Sequence, residues 1–162
     1  MMPPVATPEL AAPVPEARGD GLIRVAFGAT ATFVVTACGA VLFDSVRGVA
    51  ALVAAVLFFS GIAAFFGAYF RAVARSRTEV LGVGGIYFLS GSAPVRVRVA
   101  LLGTLALQTA VAMVTASLRP FTSLAFGMLV PMFGVGVAGL WGAIYGKYPT
   151  RPDESASVPD DE

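Results

Sequence analysis

The sequence predicts an all-α membrane protein: a bundle of four transmembrane helices with a short cytoplasmic hairpin or hook between the second and third. Three observations predict it. Of the 162 residues, 57% are apolar and only 13% charged, well outside the composition of soluble domains. The charges gather in the two tails and one central segment, so that runs such as 48–70 and 120–146 hold no Asp, Glu, Lys or Arg. Runs of that length suit the roughly 30 Å hydrocarbon core that about 20 helical residues cross. They also lack polar residues at the spacing a soluble amphipathic helix would show.

Residues 1–21 carry Pro3, Pro4, Pro8, Pro13 and Pro15 among alanines and acids. Such a segment buries too little apolar surface to offset the entropy of ordering, and it reads as a disordered cytoplasmic tail. The membrane domain follows over 22–148, with spans at about 22–43, 49–70, 94–118 and 121–145. Arg24 sits at the edge of the first span, where a long side chain snorkels to the headgroups. Asp44 to Gly48 is a tight turn, and Arg71, Arg75 and Arg77 close the second span.

The connection from Ser76 to Ala93 contains Val80, Leu81, Val83, Ile86, Tyr87, Phe88 and Leu89, broken by Gly82, Gly84 and Gly85. It is too short and too glycine-rich to cross as a helix. A short β-hairpin or hook lying against the inner headgroups is the expectation. Ser92 and Pro94 start the third span. Arg119 and Pro120 make the next turn, and the fourth span is expected to kink at Pro131, whose ring removes a backbone donor. Residues 149–162, ending in Asp160, Asp161 and Glu162, read as a disordered acidic cytoplasmic tail.

Positive residues near span ends resist translocation, so they set the orientation. Arg18, Arg24, Arg71, Arg75, Arg77, Arg96, Arg98, Lys147 and Arg151 fall on one side of a four-span arrangement, and only Arg47 and Arg119 on the other. Both termini are therefore expected in the cytoplasm, in a multi-pass protein of the plasma membrane. Trp141, Tyr145 and Tyr148 are expected at the inner interface as an aromatic belt.

Candidate functional residues fall into three groups. Gly134, Ala138, Gly142 and Gly146 recur every four residues, as do Gly28, Thr32, Thr36 and Ala40, and Ser60, Ala64 and Ala68. Small side chains on one face let another helix approach closely, within the monomer or between this chain and a copy or larger complex. Thr104, Gln108 and Thr115 share one face of the third span, where an interhelical hydrogen bond is the first expectation and a solute pathway the second. Arg71, Arg75, Arg77, Arg96 and Arg98 form a cytoplasmic basic group whose topological role accounts for them; recruitment of anionic lipid or of an acidic partner is the alternative expectation.

The inventory excludes much chemistry. Histidine and asparagine are absent, Gln108 is the sole glutamine and Cys38 the sole cysteine. No histidine-based triad, His-ligated zinc site, bis-His haem or intrachain disulfide can be built. No charged residue lies deep in a span to serve a proton relay or voltage sensor. Gly82, Gly84 and Gly85 lack the lysine and hydroxyl residue of a phosphate loop. The arginines flank apolar runs instead of forming a basic stripe, which argues against nucleic acid. Val35, Thr36, Ala37 and Cys38 have the form of a lipoprotein box, but the apolar run continues through Phe43, as a simple span would.

Arg77-Thr78-Glu79, Gly84-Gly85-Ile86-Tyr87-Phe88-Leu89-Ser90-Gly91, Arg119-Pro120-Phe121-Thr122, Pro131-Met132-Phe133-Gly134 and Gly139-Leu140-Trp141-Gly142 together resemble small uncharacterised four-helix membrane proteins of actinobacteria. The resemblance covers about 22–149 and implies compartment and lineage, with no mechanism attached. The expectation for function is a non-enzymatic structural or accessory membrane protein without cofactor or metal. Its partners would be membrane lipid, itself or a larger membrane complex. The alternative is a small oligomeric channel lined by Gln108 and the threonines.

Overall fold

The computed structural model describes residues 19–150. Helix α1 runs over Asp20–Leu42, α2 over Arg47–Arg75, α3 over Val83–Tyr87, α4 over Val95–Leu118 and α5 over Pro131–Tyr145. Two 3-10 segments, Asp44–Val46 and Ser123–Leu129, lead into α2 and α5. Four of these stretches, Asp20–Leu42, Asp44–Arg75, Val95–Leu118 and Ser123–Tyr145, are long and apolar enough to cross a membrane. Of the two tails, residues 1–18 and 151–162, with Arg18 and Arg151, lie outside the described residues; Asp20 and Gly21 already belong to α1, and Pro149 and Thr150 are held against Val80 and Glu79.

The boundaries differ from expectation where local chemistry favours helix. Helix α2 continues past Phe70 to Arg75 because Arg71, Ala72, Val73 and Ala74 include good helix formers and no breaker. The fourth span is not one helix kinked at Pro131. Pro131 occupies the first turn of α5, where its missing N–H would have had no intrahelical acceptor, and the chain before it is 3-10. Thr122 caps that segment, its Oγ1 accepting from the Leu124 N–H at 3.4 Å.

The central connection is a hook and not a β-hairpin. No strand occurs among the described residues, only an isolated bridge between Glu79 and Thr150. Residues 83–87 form one helical turn, and Leu89 and Gly91, at φ 55° and 73°, reverse the chain toward α4. The turn packs on protein: Ile86 and Leu89 are buried, and the Tyr87 ring stacks on Phe65 of α2 at 4.7 Å between centroids.

Helix α5 is the central post of the bundle. Nine of its fifteen residues are buried, against five of the twenty-three in α1; α2, α4 and the hook pack on it, while α1 packs chiefly on α2 and α4. Phe133, Val137, Ala138 and Trp141 of α5 join Ala26, Leu89 and Leu101 in the principal core cluster. Trp141 is 4% exposed and belongs to this core. Gly19, at φ +100°, passes so close to the indole that any side chain there would collide with it. The outward faces carry Leu52, Val56, Phe59, Phe66, Phe70, Val99 and Leu107, an exterior suited to lipid.

Candidate functional site

Small residues on several faces of α5 set how closely its neighbours approach. A Cβ added at Gly134 would meet the Leu105 and Gln108 side chains of α4, and one at Gly142 would meet the backbone of Ile86 in the hook. Ala138 is fully buried, and Gly146 lies against the Tyr148 ring. Gly136 and Gly61 bring the α5 and α2 backbones together, because a Cβ at Gly61 would fall 2.6 Å from the Phe133 Cα. Gly139 makes room for the Tyr87 ring. The Gly61–Gly136 crossing is the tightest packing between long helices, and the four-residue pattern read from the sequence passes over it. The signal that could have revealed it is an isolated glycine, Gly61, retained in a helix interior.

The first-span row behaves differently. Gly28 and Thr32 are exposed and Thr36 is half-buried; the packed face of α1 is Ala26, Thr30, Phe33, Ala37 and Ala40. Thr32 and Thr36 donate to the Gly28 and Thr32 carbonyls of their own helix at 3.0 and 2.8 Å. Of the second-span row, Ser60 is exposed and Ala68 buried, and Ala64 lies beneath Gly136. Cys38 is exposed on a continuous helix whose Ala37 packs with Phe33, Ala54, Ala112 and Val130.

Thr104, Gln108 and Thr115 all lie on the buried face of α4. The Gln108 Nε2 donates to Thr30 Oγ1 of α1 at 2.7 Å, and that hydroxyl donates onward to the Ala26 carbonyl at 2.7 Å. Gln108 is fully buried and its Oε1 has no partner among the described residues. Thr104 and Thr115 turn back onto their own helix, donating to the Leu101 and Val111 carbonyls at 2.8 Å. The three side chains thus do not form a continuous polar lining. Between α1 and α4 an outward-opening groove of about 560 Å3 is almost wholly apolar, with Thr30 and Thr104 among its lining.

The start of α1, the end of α2, the hook, the start of α4 and the end of α5 meet at one end of the bundle, with Arg24, Arg71, Arg75, Arg77, Arg96, Arg98 and Lys147. Arg71, Arg77, Arg96 and Arg98 are exposed and in no ion pair among the described residues. Arg75 is different. Its guanidinium donates to the Ala143 carbonyl at 2.9 Å, to the Gly146 carbonyl at 3.1 Å and to Glu79 Oε2 at 2.7 Å. It also stands over the Tyr148 ring, 5.3 Å from the centroid. A cation on the orphan carbonyls of a helix C-terminus offsets the negative end of the macrodipole.

The segment after α5 is tied down around this clamp. The Val80 N–H donates to the Pro149 carbonyl at 2.9 Å, the Lys147 N–H to the Ser92 carbonyl at 3.0 Å, and the Tyr148 hydroxyl to the Gly142 carbonyl at 3.2 Å. Ser92 donates to the Gly85 carbonyl. Burial pushes the Tyr148 phenol above its ordinary value, against the lowering effects of the nearby Ser92 hydroxyl and the Arg75 guanidinium. At the opposite end, Arg119 donates to the Val41 carbonyl at 3.2 Å. Comparison with known proteins adds no relative: no family model, no curated protein and no solved structure matches the chain.

Proposed function

We propose that this chain is a non-enzymatic, multi-pass protein of the plasma membrane that serves as a structural or accessory subunit. It acts through helix packing and its arginine-rich end, and both termini face the cytoplasm. The observation that carries the reading is where the intramembrane polar groups go. Gln108 and the threonines at 30, 32, 36, 104, 109 and 115 all bond to side chains or carbonyls of their own bundle, leaving apolar helix surface to face outward. Seven of the described cations lie at one end, and only Arg47 and Arg119 at the other. That imbalance supports a cytoplasmic placement of the former.

A small oligomeric channel is the second reading, favoured by the unpartnered Gln108 Oε1 and by Thr30 and Thr104 along the groove. Affinity purification in mild detergent, paired with flux measurements in liposomes, separates the two. A stably co-purifying membrane partner without flux is the expected result. A solute or ion flux abolished by Gln108→Leu would replace the accessory reading with the channel.

A further inference from the structure

The groove between α1 and α4 has an arginine about one helical turn beyond each of its two walls. Its walls are two stripes, Phe27, Ala31 and Val35 on α1 and Val99, Gly103 and Leu107 on α4, each recurring every four residues along one helix face. The helices run parallel, both starting at the arginine-rich end, and the stripes cover matching stretches, 27–35 and 99–107. Each stripe continues one turn toward that end to an arginine: Arg24 precedes Phe27 by three residues, and Arg96 precedes Val99 by three. Both arginines are exposed and in no ion pair among the described residues.

We propose that this groove is a binding site for an anionic phospholipid, with an acyl chain along the two stripes and the phosphate between Arg24 and Arg96. The eight rises of about 1.5 Å between the ends of each stripe give an apolar trough of about 12 Å, close to the roughly 15 Å depth of one leaflet's hydrocarbon. Guanidinium groups match phosphate oxygens in geometry as well as charge. A zwitterionic headgroup sets its own cation against the same arginines. A parallel second copy would bring like charges together at the mouth, so the lipid fits this site better than a copy of the chain. The inference rests on the chain residing in lipid, which vesicle flotation tests separately.

The test is native mass spectrometry of the full chain, delipidated in mild detergent and titrated with phosphatidylglycerol or phosphatidylcholine. The wild type should retain phosphatidylglycerol on the order of tenfold more strongly, as two arginines near a phosphate imply. The Arg24→Gln/Arg96→Gln variant should hold the two lipids equally, while Arg77→Gln, on the hook side, keeps the preference. Gly103→Leu should weaken binding of both lipids; an added Cβ there meets nothing within 4 Å, so the substitution fills the groove without disturbing the bundle. Gly28→Leu, equally open but outside the groove, should bind as the wild type does. The proposal is overturned by an undiminished preference in the double glutamine variant or by unchanged binding in Gly103→Leu. A wild-type dimer that Gly103→Leu converts to monomer would also overturn it and assign the groove to a second copy.

Discussion

Arg75 contributes through three acceptors: two terminal carbonyls of the α5 end and the Glu79 carboxylate. Hydrogen bonds to a charged group are worth about 1.5–3 kcal/mol. Arg75→Ala should therefore lower the melting temperature in detergent clearly, and Arg75→Lys should recover only part of the loss, since an ammonium cannot span the same acceptors. Nearby, Tyr148 donates as a neutral phenol, and burial raises its folded pKa. Its contribution is fully present below the unfolded value near 10 and is lost as pH rises through the higher folded value. A melting series from neutral to alkaline pH should show wild type falling more steeply than Tyr148→Phe once pH passes about 10; parallel curves would remove the phenol from the account. In the bundle centre the Gln108–Thr30 bond makes an asymmetric prediction. Gln108→Met removes the buried amide and leaves Thr30 bonded to Ala26, costing about 0.6 kcal/mol or less. Thr30→Val strands the amide and should cost about 1–3 kcal/mol, so equal losses in thermal or denaturant unfolding would count against the network.

At the scale of the helix, the glycines divide by what lies beyond them. Gly61 is closed off by the Met132–Phe133 backbone of α5, and Gly136 by the Gly61 carbonyl of α2, so Gly61→Ala or Gly136→Ala must push α2 and α5 apart and should abolish a monodisperse fold. Gly28→Ala and Gly103→Ala face open space and should be neutral or stabilising by up to about 1 kcal/mol; gel filtration with thermal unfolding separates the classes. This division also marks what the sequence makes legible. Four apolar runs bounded by charges announce four helices, because length and charge exclusion belong to the chain itself. Which face of a helix turns inward does not, because an apolar exterior removes the polar stripe that would mark the outside of a soluble helix. The Gly28, Thr32 and Thr36 row therefore cannot be told from the buried face by sequence, although it is largely outward-facing, while Gly61 and Gly136 need the neighbouring backbone to show their role. Arg75 reads as a topological charge. Its role as a clamp depends on carbonyls 68 and 71 residues away, which no local pattern records. Thr30 is hidden as Gln108's partner for the same reason, 78 residues apart. The hook's β-hairpin reading fails because glycines that suggest a turn also let Ile86 and Tyr87 nest against Gly142 and Gly139.

For the whole molecule, charge at the two ends makes a topological prediction. Reporter fusions at either terminus that are active only outside the cytoplasm should stay silent; a bright C-terminal fusion would require a different number of crossings. The central position of α5 has a further consequence for biogenesis. The most enclosed helix is also the last of the five to leave the ribosome. Until it arrives, α2 and α4 lack the helix that both pack against, and the hook has no floor. Nascent chains arrested after Leu118 should accordingly remain protease-sensitive and bound to insertion machinery, with compaction arriving abruptly once α5 and the residues that engage Arg75 have been synthesised.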